Sequence, residues 1–320
     1  MSISNAELLR KATLTTSDFG GAGEAPLSVE QVKQFLVLMA ANQTFLPDTR
    51  TVTANANKWV ESIVDFGGRI TRGGAEATRL GESERAKPTT GNVEISTVLL
   101  RAEVPVSDEA MEDNVAEEGF ANDLERMIAN QFGFDVEELL VNGDTASADT
   151  YLKLLDGWLK QAEGTGGHVL DAETLGQDYQ TIFKRLLMSI PNRFRGTLRQ
   201  DGRFYVPQAL EDLYRDQLSS RGTPLGDFTL EDGSKTLRYM GIEIKGSASM
   251  IVSAGTPDKG HVLLTNRNNL YQGWRRQMTI ETFRDPREGA TSFIVTARVD
   301  AEVAIAEATA IAKNVNVEPE

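Results

Sequence analysis

Cysteine is missing from the chain, and histidine nearly so, with two in 320 residues. No disulfide, thiolate nucleophile or cysteine zinc site can be built from such a sequence. His168 and His261 each stand alone, with no His, Asp or Glu at a ligand spacing of four residues, so neither marks a metal or catalytic centre. Long apolar runs are also missing. The longest, from Phe35 to Ala41, falls far short of the roughly 20 residues needed to cross a bilayer. Met1 to Arg10 has no apolar stretch of signal-peptide length, which predicts a chain that is not exported. Positive charge is in deficit: 33 Lys and Arg against 47 Asp and Glu, a formal net charge of −14. Tight nucleic-acid binding needs phosphate neutralisation, so on average this surface repels DNA. An anionic wall around DNA remains compatible with that charge.

Motifs of chemistry are equally scarce. There is no nucleophile elbow of the form G-x-S-x-G, no phosphate-binding loop ending in Lys-Ser or Lys-Thr, and no dinucleotide fingerprint. The pairs Asp108-Glu109, Glu117-Glu118 and Glu137-Glu138 could suggest acid–base work. Neighbours on a helix diverge by about 100°, so the two members of a pair cannot meet at one substrate atom. The pairs read as solvated or partner-facing surface, and no cofactor is expected.

The chain does show a distinctive order of parts. Residues 1–58 read as a polar arm with a short amphipathic helix at about 29–42 carrying Val32, Phe35, Leu36 and Met39. Such an arm should bury little in its own subunit, which leaves it disordered or held by a neighbour. Trp59 to Phe66 and Val93 to Val104 read as strands. The second slips phase near Ser96 and Thr97, which suggests a bulge. Between them lies a glycine-rich loop with Arg69, Arg72, Arg79, Arg85 and Lys87. A connection of that length is uncommon unless functional.

Ser107 reads as a helix N-cap, with Asp108 and Glu109 behind it and Val106 and Met111 as a hydrophobic staple. Phe120, Leu124, Met127, Ile128, Phe132, Val136, Leu139 and Leu140 continue the helical stripe until Asn142-Gly143, with a kink allowed at Gly119 or Gly133. From Glu103 to Glu138 twelve residues are acidic and one, Arg126, is basic. The basic loop is the electrostatic complement of this stretch.

Residues 145–178 read as an irregular connector. Helices are expected at Tyr179–Ile190 and from Pro207 to about Ser219. Strands are expected at Phe204–Val206, Leu237–Ile244, Met250–Val252, His261–Leu264 and Met278–Phe283. Phe293, Val295, Ala297 and Val299 alternate as a strand does. Ala301–Lys313 is ambiguous, because alanine favours helix while the alternation favours strand.

Three stretches resemble the major capsid proteins of tailed bacteriophages. Glu84 to Ser96 (ERAKPTTGNVEIS) is similar to that family's extended loop and returning strand. Val106 to Asp113 (VSDEAMED), Glu137 to Asp144 (EELLVNGD) and Leu155 to Trp158 (LDGW) are similar to its spine helix and the segment soon after it. Arg298 to Lys313 (RVDAEVAIAEATAIAK) is similar to its closing strands, which favours strand there.

The resemblance implies an α+β, HK97-like capsid fold. Its parts would be an N-terminal arm at 1–58, an extended β-hairpin loop at 59–104 and a peripheral domain with spine helix at 105–150. An axial domain at 151–273 and peripheral strands with a C-terminal tail at 274–320 would come next. It implies no enzyme, but a shell subunit that assembles with itself as pentamers and hexamers into an icosahedral head around double-stranded DNA, without sequence-specific binding. The location implied is the virion, after assembly in the host cytoplasm, with no membrane partner. A separate scaffolding protein, a portal and a decoration protein are the further partners implied.

Arg69, Arg72, Arg79, Arg85 and Lys87 would then meet Glu112, Asp113, Glu117, Glu118, Asp123 and Glu125 of a neighbour. Some relatives crosslink a loop Lys to a peripheral Asn. Lys87 is present, but no Asn lies between Tyr271 and Lys313, so no crosslink is expected. The alternatives are an encapsulin-like compartment shell and an oligomeric soluble enzyme.

Overall fold

The protein's structure, a computed structural model, describes residues 43–53, 56–65, 69–71, 73, 81, 85, 88–109, 120–164, 166–175, 178–219, 236–253 and 258–317. Most of the expected arm, including its helix at 29–42, the staple residue Met111 and the glycine at 119 lie outside the described residues.

Three sheets organise the described chain. The first is four-stranded, in the order β1-β10-β11-β4. It joins β1 (Arg50–Thr53), β4 (Val98–Ser107), β10 (Leu270–Asp285) and β11 (Ala290–Val303). β11 runs antiparallel to both β10 and β4, and β1 lies parallel to β10. Phe293, Val295, Ala297, Val299 and Ala301 alternate along β11 and are all buried, as a strand with one covered face requires.

The helix that covers this face is α1 (Phe120–Asn142). Leu124, Ile128, Phe132, Val136, Leu139 and Leu140 repeat at intervals of three to four residues and share one core with β11. The helix runs unbroken through Gly133. It ends at Asn142, as the Asn-Gly pair predicts. The Asn142 amide donates to the Ser249 carbonyl at 2.6 Å, and its oxygen accepts from Ile251 N–H at 3.1 Å.

The second sheet is six-stranded, in the order β5-β12-β9-β6-β8-β7. Its strands are β5 (His168–Asp171), β6 (Gly202–Pro207), β7 (Arg238–Tyr239), β8 (Ile242–Ser247), β9 (Lys259–Asn266) and β12 (Ala310–Asn316). Both of its faces are covered. Phe204, Val206, Val262, Leu264, Ala310 and Ala312 face a core closed by α3 (Tyr179–Ser189) and α5 (Gln208–Ser219). Tyr205, Leu263 and Ile311, one residue out of phase, face the core of α1 and α2 (Trp158–Ala162). The strict period of two along β6, β9 and β12 thus ties the two cores together.

The third sheet is the hairpin of β2 (Lys58–Asp65) and β3 (Thr89–Ser96), paired in register from Lys58↔Ser96 to Asp65↔Thr89.

Several expectations change. The phase slip at Ser96 and Thr97 is not a bulge within one strand. Thr97 separates β3, which pairs with β2, from β4, which pairs with β11, so two sheets account for the two phases. The stretch 145–178 holds α2 and β5 rather than an irregular connector. Pro191 both ends α3 and precedes α4 (Asn192–Asp201), a helix that the hydrophobic pattern does not show. Met250–Val252 is not a strand, and only Ser253 bridges to Lys259. Ala301–Lys313 is not helical. β11 runs on to Val303, a short 3-10 turn covers Ala306–Ala308, and β12 comes after it. β12 joins the six-stranded sheet, with strands drawn from residues 168–266, and not the sheet of β10 and β11.

Candidate assembly interface

The hairpin β2–β3 and the chain that leads into it are fixed to the body at two polar joints. The first lies at the hairpin root. Ser96 N–H donates to Asp300 Oδ2 at 2.5 Å, and Thr97 N–H donates to the Asn57 carbonyl at 3.1 Å. Val93 and Ile95 pack with Tyr271, beside Val52, Trp59 and Ala304. Gly273 makes this approach feasible, since a Cβ there would lie 2.3 Å from Ile95 Cγ2. Burial pushes the Asp300 carboxyl up to about 6, although the Ser96 and Ala301 N–H groups favour its charged form. Glu302 is pushed up to about 7 by burial, then by the charges of Asp300 and Asp156.

The second joint holds residues 44–49. Glu137 on α1 is fully buried. Its Oε2 accepts from Phe45 N–H at 2.9 Å and Leu46 N–H at 3.0 Å. Its Oε1 accepts from Thr44 N–H at 3.0 Å and Ser249 hydroxyl at 2.8 Å. One carboxylate thereby satisfies the donors of three successive residues, the arrangement a buried charge requires. Phe45 stacks on Tyr205 with ring centroids 4.4 Å apart, near Trp158 at 5.7 Å. Asp48 accepts from Tyr205 hydroxyl at 2.9 Å and lies 3.4 Å from Lys245. Gln272 donates to the Leu46 carbonyl and to Thr49 Oγ1, both at 2.7 Å.

This joint corrects two sequence readings. The arm expected at 1–58 is not free of its own subunit throughout, because residues 44–53 are pinned to α1, β6 and β10. Glu137-Glu138 is not a surface pair either. The angle of about 100° between helix neighbours sends Glu137 into the core and leaves Glu138 half-buried. No sequence signal separates the two carboxylates. The nearest hint is the placement of Glu137 beside Val136 on the apolar stripe.

The charged residues singled out in the sequence come together less. Arg69 and Arg85 are exposed in the segment between β2 and β3, and Glu125 is half-buried on α1. Asp123 lies on α1, though its side chain is outside the described residues, as are Arg72, Arg79, Lys87, Glu112, Asp113, Glu117 and Glu118. Among the described residues no ion pair links Arg69 or Arg85 to Glu125.

A mixed helix-and-sheet body with a long helix across one sheet, and a two-stranded ribbon rooted beside it, is the α+β arrangement that the capsid resemblance implies. The family model described as "Phage capsid family" matches residues 30–314. YqbE of Bacillus subtilis (strain 168), described as a prophage capsid protein, is 32% identical over 318 residues, 98% of this chain and 99% of its own length. A chain of the satellite phage P4 procapsid superposes with a TM-score of 0.62 at 12% identity, covering 97% of this chain and 95% of that one. The SrpI encapsulin of Synechococcus elongatus PCC 7942 superposes with a TM-score of 0.58 at 11% identity, over 100% and 98% of the two chains. The chain belongs to the phage capsid family, as a structural protein of the virion shell.

Proposed function

We propose that this chain is the major capsid protein that self-assembles, as pentamers and hexamers, into the icosahedral head shell around phage double-stranded DNA. The observation that carries the reading is the prophage capsid relative matched over nearly the full length of both chains. Within the subunit, 59–104 acts as the extended loop, 105–150 and 274–320 as the peripheral domain, and 151–273 as the axial domain, with β12 contributed to the axial sheet. Residues 1–42 act as the arm that reaches a neighbour, because 44–53 are already held at home.

The basic residues of the loop, Arg69, Arg72, Arg79, Arg85 and Lys87, meet a neighbour's Glu112, Asp113, Glu117, Glu118, Asp123 and Glu125. In this reading the exposed pairs set register and partner choice more than strength, while strength comes from interface area repeated by symmetry. The subunit carries out no catalysis. A separate scaffolding protein, a portal and a decoration protein complete the particle, which forms in the host cytoplasm. The enclosed DNA is not read by sequence.

The encapsulin likeness supports a second reading, a shell around protein cargo. One experiment tests both. The chain is expressed alone and examined by size exclusion with light scattering and by negative-stain microscopy. Pentamers, hexamers or closed shells are expected, and a chain starting at residue 43 should assemble poorly. A stable monomer that never assembles, even with lysate scaffold present, overturns the shell reading. Protein cargo in place of DNA in natural particles decides for the compartment.

A further inference from the structure

The six-stranded sheet carries a basic patch on one of its sides and an acidic patch on the other. Across α3, α4 and the start of β6, residues 179–203 hold Lys184, Arg185, Arg193, Arg195, Arg199 and Arg203 against a single acid, Asp201. This is the reverse of the chain as a whole.

Three of those cations are engaged internally. Arg193 pairs with Glu307 and stacks over Phe194. Arg195 donates to the Ile190 carbonyl at 2.7 Å and the Met188 carbonyl at 2.6 Å. Arg203 lies 3.1 Å from Glu243 and 3.7 Å from Asp48. Lys184, Arg185 and Arg199 are exposed, and none has an anion among the described residues.

They form one surface. Lys184 and Arg185 lie one helical turn before the exposed Met188, whose sulfur is 3.7 Å from Arg195 Nη1. Arg199 is one turn beyond Arg195.

The other side shows the converse. Asp135 and Glu138 lie on one face of the C-terminal half of α1, with Asp149 beside them, and no cation pairs with any of the three among the described residues. Burial raises the Glu138 carboxyl, and the charges of Asp135 and Asp149 raise it further. No basic residue occupies the last turn of α1, so these acids also oppose the helix dipole. α1 packs on the Tyr205, Leu263 and Ile311 side of the sheet, and α3 on the Phe204, Val262 and Leu264 side.

We propose that Lys184, Arg185 and Arg199 of one copy dock against Asp135, Glu138 and Asp149 of a second copy. Complementary patches on opposite sides of one body make a head-to-tail contact, which closes into a ring when the rotation per copy divides the circle. The charge pattern specifies that order, because a head-to-head approach brings like charges together. The inference rests on the shell reading and adds to it a contact distinct from the basic loop.

Zero-length carbodiimide coupling on particles assembled from mixed isotopically heavy and light chains tests it, since that reagent joins a lysine amine directly to a carboxylate. Heavy–light peptides linking Lys184 to Asp135, Glu138 or Asp149 are expected. Assembled particles in which Lys184 couples elsewhere, or only within its own chain, overturn the contact and leave the shell reading standing. Failure of the unaltered chain to assemble at all strikes the shell reading instead.

Charge reversal gives a second arm. Lys184→Glu, Arg185→Glu and Arg199→Glu together should abolish assembly. Adding Asp135→Lys, Glu138→Lys and Asp149→Lys in the same chain should restore it. Unchanged assembly of the first variant, or failure of the second with an unaltered circular dichroism spectrum, overturns the proposal. Particles of the first variant that assemble normally but lose packaged DNA overturn it in favour of a nucleic-acid partner.

Discussion

Asp300 on β11 holds the N–H of Ser96 at the last residue of β3, where the chain leaves the hairpin for the main sheet. The joint is therefore built on a carboxylate that burial drives toward its neutral form. The folded-state value of about 6 lies above an unfolded value of about 3.9, so between them the native chain binds more protons than the unfolded one. The stability contributed by the neutral form is fully present below about pH 4 and is lost as pH rises through about 6. That rise from about 3.9 to about 6 is worth about 3 kcal/mol at most. Glu302, pushed up to about 7, changes stability in the same direction over a range extending higher. The melting temperature should fall between pH 4 and pH 8. Asp300→Asn with Glu302→Gln should flatten that fall, whatever it does to the absolute level. An equally steep profile in the double variant contradicts this account.

Glu137 accepts from three consecutive N–H groups, those of Thr44, Phe45 and Leu46, and from the Ser249 hydroxyl. Glu137→Ala strands those donors in the core, at a cost on the order of 3–5 kcal/mol. Glu137→Gln should recover little, because its amide presents N–H groups where donors already point. Chemical denaturation measures the loss, and proteolysis near residues 44–53 should accelerate in both variants.

Phe45 is fully buried between Tyr205 and Trp158. Its truncation to Ala is expected to cost about 3–5 kcal/mol. Truncating the chain to begin at residue 43 should leave subunit stability nearly unchanged while impairing assembly. The contrast separates the role of residues 44–53 from that of the residues before them, and thermal melting alongside light scattering reads both.

Gly273 faces Ile95 without room for a methyl group. Gly273→Ala should destabilise by about 1–3 kcal/mol through overpacking. Ile95→Ala in the same chain should relieve part of that cost, seen as a favourable coupling in a double-mutant cycle. Additive effects would place the clash elsewhere.

Local pattern makes much of the architecture readable. α1 shows as its spaced Leu, Ile and Phe residues, and β11 as the alternation from Phe293 to Val299, because a face packed on a core repeats at the period of its element. The Asn142-Gly143 terminus is readable for the same reason, as local backbone chemistry. α4 is not, since Arg193, Arg195 and Arg199 leave it no clear apolar stripe. Thr97 reads as a bulge because phase alone cannot distinguish an irregular strand from two strands in different sheets. The charged loop is legible as a basic stretch, but local pattern does not say which groups it faces.

Residue order alone is enough to set the class of this protein: a cysteine-free, acidic, motif-poor chain whose arm, basic loop, long helix and closing strands resemble a capsid subunit. Which carboxylates are buried is settled only by the folded chain. Glu137 and Glu138 are adjacent and identical in kind, yet one is fully buried and anchors the chain at Phe45 while the other is only half-buried. Asp300 looks like any strand acid until β3 is brought against it. Composition and periodicity report what a residue prefers near its neighbours. Desolvation and hydrogen bonding depend on groups some 90 to 200 positions away, which only folding places within reach.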